Sequence, residues 1–194
     1  MASYGCLLLF FIIPNSVYDY LTPLENKIRI TFIVFLFTCL MPLINIFILY
    51  KLKRIQSITL SNQNERTYPY ITTTLFYFGL FYLLMDINIW NSVKVFVLGG
   101  GSAILACALI NLKYKISAHM TGIGGLLGVL IATSYLIKFD MTIYYIIVIL
   151  LAGLIGSSRM LLKEHLASQI YSGFFLGLGL QLLLFFSFQK MIFA

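Results

Sequence analysis

The sequence predicts an all-α membrane protein, and three observations carry that prediction. Hydrophobic residues make up 61% of the 194 and charged residues only 10%, so there is too little polar surface to clothe a soluble globule. The mean hydropathy is +0.98, and apolar runs of the length a bilayer crossing needs, about 20 residues, occupy nearly the whole chain. No run alternates polar and apolar residues with the two-residue period of a lipid-facing barrel strand, so helices must satisfy the backbone inside hydrocarbon.

Seven helical segments follow, at roughly 4–21, 28–50, 69–87, 92–112, 119–137, 142–158 and 168–188. The first is interrupted by Pro14-Asn15. Its leading residues lack the positive flank of a cleavable signal peptide, so it is expected to remain as a membrane segment. The second closes on Lys51, Lys53 and Arg54, and the third opens at Pro69. The fourth carries Gly99-Gly100-Gly101. No strand precedes these glycines and no Gly-Lys-Ser/Thr follows them, so helix packing or a kink is expected there instead of a phosphate loop. The fifth and seventh carry small residues four apart, Gly124 with Gly128 and Gly173 with Gly177, a spacing that lets helices approach closely. Residues 1–194 are read as a single membrane-embedded domain. Cys6, Cys39 and Cys107 lie scattered in apolar runs with no CxxC spacing and read as packing residues.

Each crossing changes sides. Segments 51–68, 113–118 and 159–167 therefore share one face, and 22–27, 88–91 and 138–141 the other, where Asp86, Asn88, Asn91 and Asp140 read as solvated helix ends. The first face gathers three polar clusters: Arg66; Lys115 with Ser117, Ala118 and His119; and Ser158 and Arg159 with His165 and Gln169. His119 and His165 are the only two histidines. A neutral imidazole can attack phosphorus while a nearby guanidinium holds the phosphate oxygens, and a second imidazole can protonate the leaving oxygen. No Asp/Glu cluster lies on this face, which leaves a two-metal mechanism without ligands, and no cofactor is expected. The net charge of +7 is spread between hydrophobic segments without a basic stripe, so anionic lipid head groups, not nucleic acid, are the expected partners.

The spacing Ser158-Arg159, five residues, His165, three residues, Gln169 resembles the Ser-Arg-x5-His-x3-Asp signature of the type 2 phosphatidic acid phosphatase superfamily. Ile116-Ser117-Ala118-His119 resembles its Pro-Ser-Gly-His signature in the serine and histidine. Arg66, followed by Thr67-Tyr68-Pro69 and with Thr59 in place of the signature lysine, is all that resembles Lys-x6-Arg-Pro. The resemblance spans about residues 51–169. It implies a six-helix bundle, here preceded by an N-terminal helix, and a lipid phosphate phosphatase working through a phosphohistidine. Within that family pattern His165 is the nucleophile and His119 the general acid. Arg159, Arg66, Ser117, the Ala118 backbone and Lys115 serve the phosphate, and Gln169 orients the nucleophile where an aspartate is usual. Glu164 is the nearby carboxylate that would compensate for the lost charge.

Substrates expected from the resemblance are phosphatidic acid, phosphatidylglycerol phosphate, an isoprenoid pyrophosphate or lipid A. The missing aspartate, lysine and proline support an alternative, a catalytically impaired phospholipid-binding or lipid-moving protein. A transporter or channel rests on helix count alone and would bury charges mid-membrane, where few are found. Eight of the 13 Lys and Arg lie on the site face, which by the positive-inside rule favours the cytoplasm. The resemblance instead implies a bacterial inner-membrane protein with its site facing the periplasm, and that is the expectation adopted.

Overall fold

A computed structural model of the chain describes residues 24–60 and 62–192, together with Gly5 and Leu9. The predicted segment 4–21 and Cys6 thus lie outside the described residues, those two positions of the segment excepted. All regular structure among the described residues is helical. Helix α1, Leu24–Lys51, passes through a π-helical turn at Leu36–Leu40 before resuming at Met41. Pro42 follows that turn and has no N–H to give to the helical ladder. Re-registering the ladder by one residue, with the Met41 N–H bonded to Leu36 O, lets the helix continue past the proline.

Helix α2, Gln63–Met85, starts six residues before the predicted position. Asn62 caps it, its side chain accepting from the Asn64 N–H at 3.3 Å, and Glu65 in the first turn complements the positive end of the helix dipole. Pro69 then lies inside the helix instead of opening it, and Arg66 stands on a helix instead of in a loop. The remaining helices are α3 (Asn91–Asn111), α4 (Ala118–Ile137), α5 (Thr142–Leu161), α6 (Ala167–Ser187) and the short α7 (Gln189–Ile192). α5 extends three residues beyond expectation, which puts Arg159 in its last turn.

Five of these helices, α1, α3, α4, α5 and α6, are long and apolar enough to cross a membrane, as suits an integral membrane protein. α2 is as long as these, but Tyr68, Tyr70 and Thr72 to Thr74 dilute its apolar content. α4 is the central element, mostly buried, whereas α1 and α5 turn most of their surface outward and expose Leu150, Leu154 and Ile147. α4 and α6 meet backbone to backbone. A Cβ on Gly177 would collide with the Thr121 carbonyl, and one on Gly124 with the Phe174 carbonyl, so the small-residue spacings act as the sequence predicts. The glycine run of α3 likewise seats large neighbours: Gln181 against Gly99, Tyr77 against Gly100 and Phe78 against Gly101.

Hydrogen bonds join the helix ends that the sequence assigns to one face. Gln63 Nε2 donates to Asn111 O at 2.6 Å, and Asn111 Nδ2 donates to Gln63 O at 2.9 Å, closing the start of α2 on the end of α3. The Ser117 N–H bonds Gln169 O at 3.3 Å, joining the starts of α4 and α6. At the other end, the Asp140 carboxylate accepts from the backbone N–H of Thr142, the first residue of α5, at 2.9 Å and from its hydroxyl, which accounts for that residue without a role in chemistry.

Candidate active site

The five-residue gap between Arg159 and His165 has a local cause. α5 ends after Leu161, and Lys163 takes the left-handed conformation, φ 55°, that turns the chain back on the helix. The N–H groups of Glu164 and His165 then bond Arg159 O at 3.1 and 3.4 Å. His165 is thereby held buried beside the last turn of α5 and just before α6.

Two partners fix the His165 ring. Nδ1 lies 3.1 Å from Gln169 Oε1, which also accepts the Leu166 N–H at 3.2 Å. Nε2 lies 3.1 Å from Arg66 Nη1. A carboxamide oxygen only accepts and a guanidinium only donates, so the proton sits on Nδ1 and the lone pair on Nε2. Burial, then the Arg66 and Lys115 charges, hold the imidazole's pKa down at about 4, opposed by the Gln169 bond and the Glu164 charge. His165 is accordingly a neutral base at physiological pH.

Arg66, itself buried, is the hub of the cluster. Its Nε donates to Leu60 O at 2.6 Å, its Nη1 to His165, and its Nη2 to Glu164 Oε2 at 3.5 Å. Leu60 presents that carbonyl from a left-handed conformation, φ 52°, which costs a Cβ-bearing residue roughly 1–2 kcal/mol. Lys115 Nζ stands 3.9 Å from the same Glu164 oxygen. Its pKa is lowered, first by burial and then by Arg66, with Glu164 opposing. Glu164 thus serves the two cations directly and His165 only through its field.

The second histidine pairs with the other arginine. Arg159 Nη2 lies 2.8 Å from His119 Nε2, so the His119 lone pair also faces a guanidinium. Local spacing groups Arg159 with His165, but the structure brings Arg159 to His119 and Arg66 to His165. Both imidazoles lie within electrostatic reach of Arg66. Ser117, the N-cap residue of α4, is fully buried, and its hydroxyl has no partner among the described residues. Ala118 opens α4 beside it. Ser158 does not join this cluster: it is exposed and its hydroxyl is bonded to Ile155 O at 2.8 Å.

Two groups escaped the sequence reading. The Leu60 carbonyl is invisible to side-chain motifs. Tyr70 feels the Arg66 charge from one turn farther along α2, a four-residue spacing that becomes informative only once α2 is known to begin at Gln63. Among the described residues, no group of three His, Cys, Asp or Glu side chains is placed to hold a metal ion. The cluster offers two guanidinium groups, an ammonium group, a buried hydroxyl and two imidazole lone pairs, a set suited to an oxyanion that also reacts. No protein-family model, curated protein or solved structure matches the chain.

Proposed function

We propose that this chain is a metal-independent lipid phosphate phosphatase, similar to the type 2 phosphatidic acid phosphatases, and that it forms a phosphohistidine on His165. The observation that carries this reading is the His165 ring, whose Nε2 lone pair faces Arg66 while its Nδ1 proton is held by Gln169. That is the tautomer an attacking imidazole requires, beside the cation a phosphoryl oxygen requires.

A lipid phosphate entering the cluster competes for Arg66, Lys115 and Arg159, and releases both imidazole lone pairs from their guanidinium partners. The Ser117 hydroxyl and the first N–H groups of α4 supply neutral donors to its oxygens. A lipid phosphate bound as its monoanion first passes its proton to the His119 lone pair that Arg159 has released; the His165 Nε2 lone pair then attacks phosphorus in line, the bond to the ester oxygen breaks, and that oxygen takes the electron pair and the proton from His119. His119, now neutral, removes a proton from water as it attacks the phosphohistidine. The P–N bond breaks, its electron pair returns to Nε2, and inorganic phosphate leaves. The substrate is a membrane lipid such as phosphatidic acid, phosphatidylglycerol phosphate, an isoprenoid pyrophosphate or lipid A, in a bacterial inner membrane with the site facing the periplasm.

Gln169 favours one rival. A carboxamide orients the ring but cannot neutralise the imidazolium-like intermediate, which suits a phospholipid-binding or lipid-moving protein that has lost its chemistry. Release of inorganic phosphate from a panel of lipid phosphates separates the two. His165→Ala and His119→Ala should each reduce turnover at least 1,000-fold, and wild-type protein should acquire acid-labile phosphate on His165. Binding without release from any substrate would establish the rival.

A further inference from the structure

The phosphate cluster adjoins an apolar slot that the proposed chemistry leaves unused. A cavity of about 260 Å³ lies beside it, and Leu60, Ala118 and His119 belong to both. From that end the cavity is lined along α2 from Pro69 to Tyr77, along α3 from Cys107 to Phe96 and along α4 from Ala118 to Gly125. At 1.5 Å per residue those stretches are about 12, 17 and 11 Å long. The clamp between Gln63 and Asn111 puts the start of α2 and the end of α3 at the site, and His119 puts the start of α4 there. The three stretches therefore lie side by side, and the slot leads from the site toward the middle of the helix bundle. Gly100, Ala103, Gly122 and Gly125 line it, and their lack of bulk keeps the seam between the helices open.

Volume and depth agree on an occupant. At about 30 Å³ for each water-sized unit, a size a methylene group shares, the slot holds roughly nine. An extended chain advances about 1.2 Å per bond, so a depth of about 12 Å takes roughly ten atoms in single file. Two chains abreast would need twice the volume over that depth. The walls are largely apolar and offer water few hydrogen-bond partners, which suits hydrocarbon.

The histidines decide which part of a ligand enters. In-line displacement puts the attacking and leaving atoms on opposite sides of phosphorus. His119, which serves the leaving oxygen, lines the slot, whereas His165, which attacks, is not among the described residues that line it. The carbon chain on the leaving oxygen therefore faces inward. Thr73 of α2 and Ala103 of α3 each stand four residues in from the site end, about 6 Å along the axis, on two walls of the slot. We propose that the slot takes one extended hydrocarbon chain, carried on the leaving oxygen and reaching nine or ten carbons deep, and that the small side chains of Thr73 and Ala103 let it pass. The direction of the chain rests on the phosphatase reading; the slot as a chain site rests on its dimensions and its walls.

The test uses purified full-length protein in one detergent with butyl, hexyl, octyl and decyl phosphate. Affinities come from calorimetry and phosphate release is measured in parallel, for wild type, Ala103→Leu and Thr73→Phe. Wild type should tighten by up to about fourfold for each added methylene as the slot fills. Both variants block the slot beyond about five carbons. They should bind butyl phosphate within about twofold of wild type, which certifies folding, and decyl phosphate at least about 100-fold more weakly. The variant-to-wild-type ratio at each chain length cancels partition of the probe into micelles. Wild-type affinity for decyl phosphate in either variant that still binds butyl phosphate overturns the proposal. A chain-length dependence that the variants abolish, without phosphate release from any probe, would sink the phosphatase reading and leave the slot standing. Release from decyl phosphate at wild-type rate and affinity in both variants would do the reverse.

Discussion

Gln169→Glu is the most informative single substitution, because it adds a charge at the His165 Nδ1 position with almost no change of shape. In the wild-type protein Gln169 Oε1 stands 3.1 Å from Nδ1, and the imidazole is held at a pKa of about 4. With charge centres about 4 Å apart and an effective dielectric near 20, a carboxylate there favours the imidazolium by up to about 4 kcal/mol, equivalent to about three pKa units. Because Arg66 and Lys115 also face the ring and take up part of the new charge, a rise of one to three units is expected. The sign follows directly: kcat/KM requires neutral His165 in the free enzyme, so its acid limb should move upward from about pH 4 to between about 5 and 7. Above that limb, on the plateau, the same charge stabilises the positively charged phosphohistidine. Since charge-assisted hydrogen bonds are about twice as strong as neutral ones, kcat should rise roughly tenfold. The assay is a pH profile of phosphate release from pH 3.5 to 8, with Gln169→Asp as the shorter-reaching control. An acid limb that stays within half a unit of wild type in the Glu variant would refute the assignment of His165 as the attacking base.

Further substitutions test the cluster and its scaffold. Arg66→Lys keeps the charge but loses the fork that reaches Leu60 O, His165 and Glu164 together, so kcat/KM should fall by about 30- to 1,000-fold with the fold intact by circular dichroism. Glu164→Gln removes the carboxylate that competes for Arg66 and Lys115, and inorganic phosphate should then inhibit several-fold more tightly. Gly177→Ala drives a Cβ into the Thr121 carbonyl and should cost about 2 kcal/mol or more. Gly179→Ala, with nothing within 4 Å, should be neutral or gain up to about 1 kcal/mol, both read as detergent-solubilised melting midpoints.

Much of this architecture was legible before any coordinates. The helices α3, α4 and α6 begin and end within a residue of expectation, since runs that must stay helical in hydrocarbon end where polar residues begin. α2 was misjudged at its start because Pro69 looks like an opening signal, whereas the Asn62 cap and the clamp between Gln63 and Asn111 extend the helix six residues backward. Tertiary contact outweighed the local signal there, and with it Arg66 moved from a loop into the buried hub.

The sequence by itself determined the helical class, because hydrophobic length forces helices in hydrocarbon, and alternation of crossings led to the expectation that Arg66, His119 and His165 gather at one end. The resemblance of the Ser158 to Gln169 spacing to a family signature also pointed to Gln169 as the partner of His165, and the structure places Gln169 Oε1 3.1 Å from Nδ1. Only the tertiary structure decided which arginine faces which histidine. The turn at Lys163 folds His165 back toward α6 while the last turn of α5 sends Arg159 across to the start of α4, and that choice depends on how close the glycine seams let α4 and α6 approach. The same packing buried a Gln181 carbonyl that has no partner among the described residues, a feature with no trace in spacing, because an unsatisfied group is defined by everything around it.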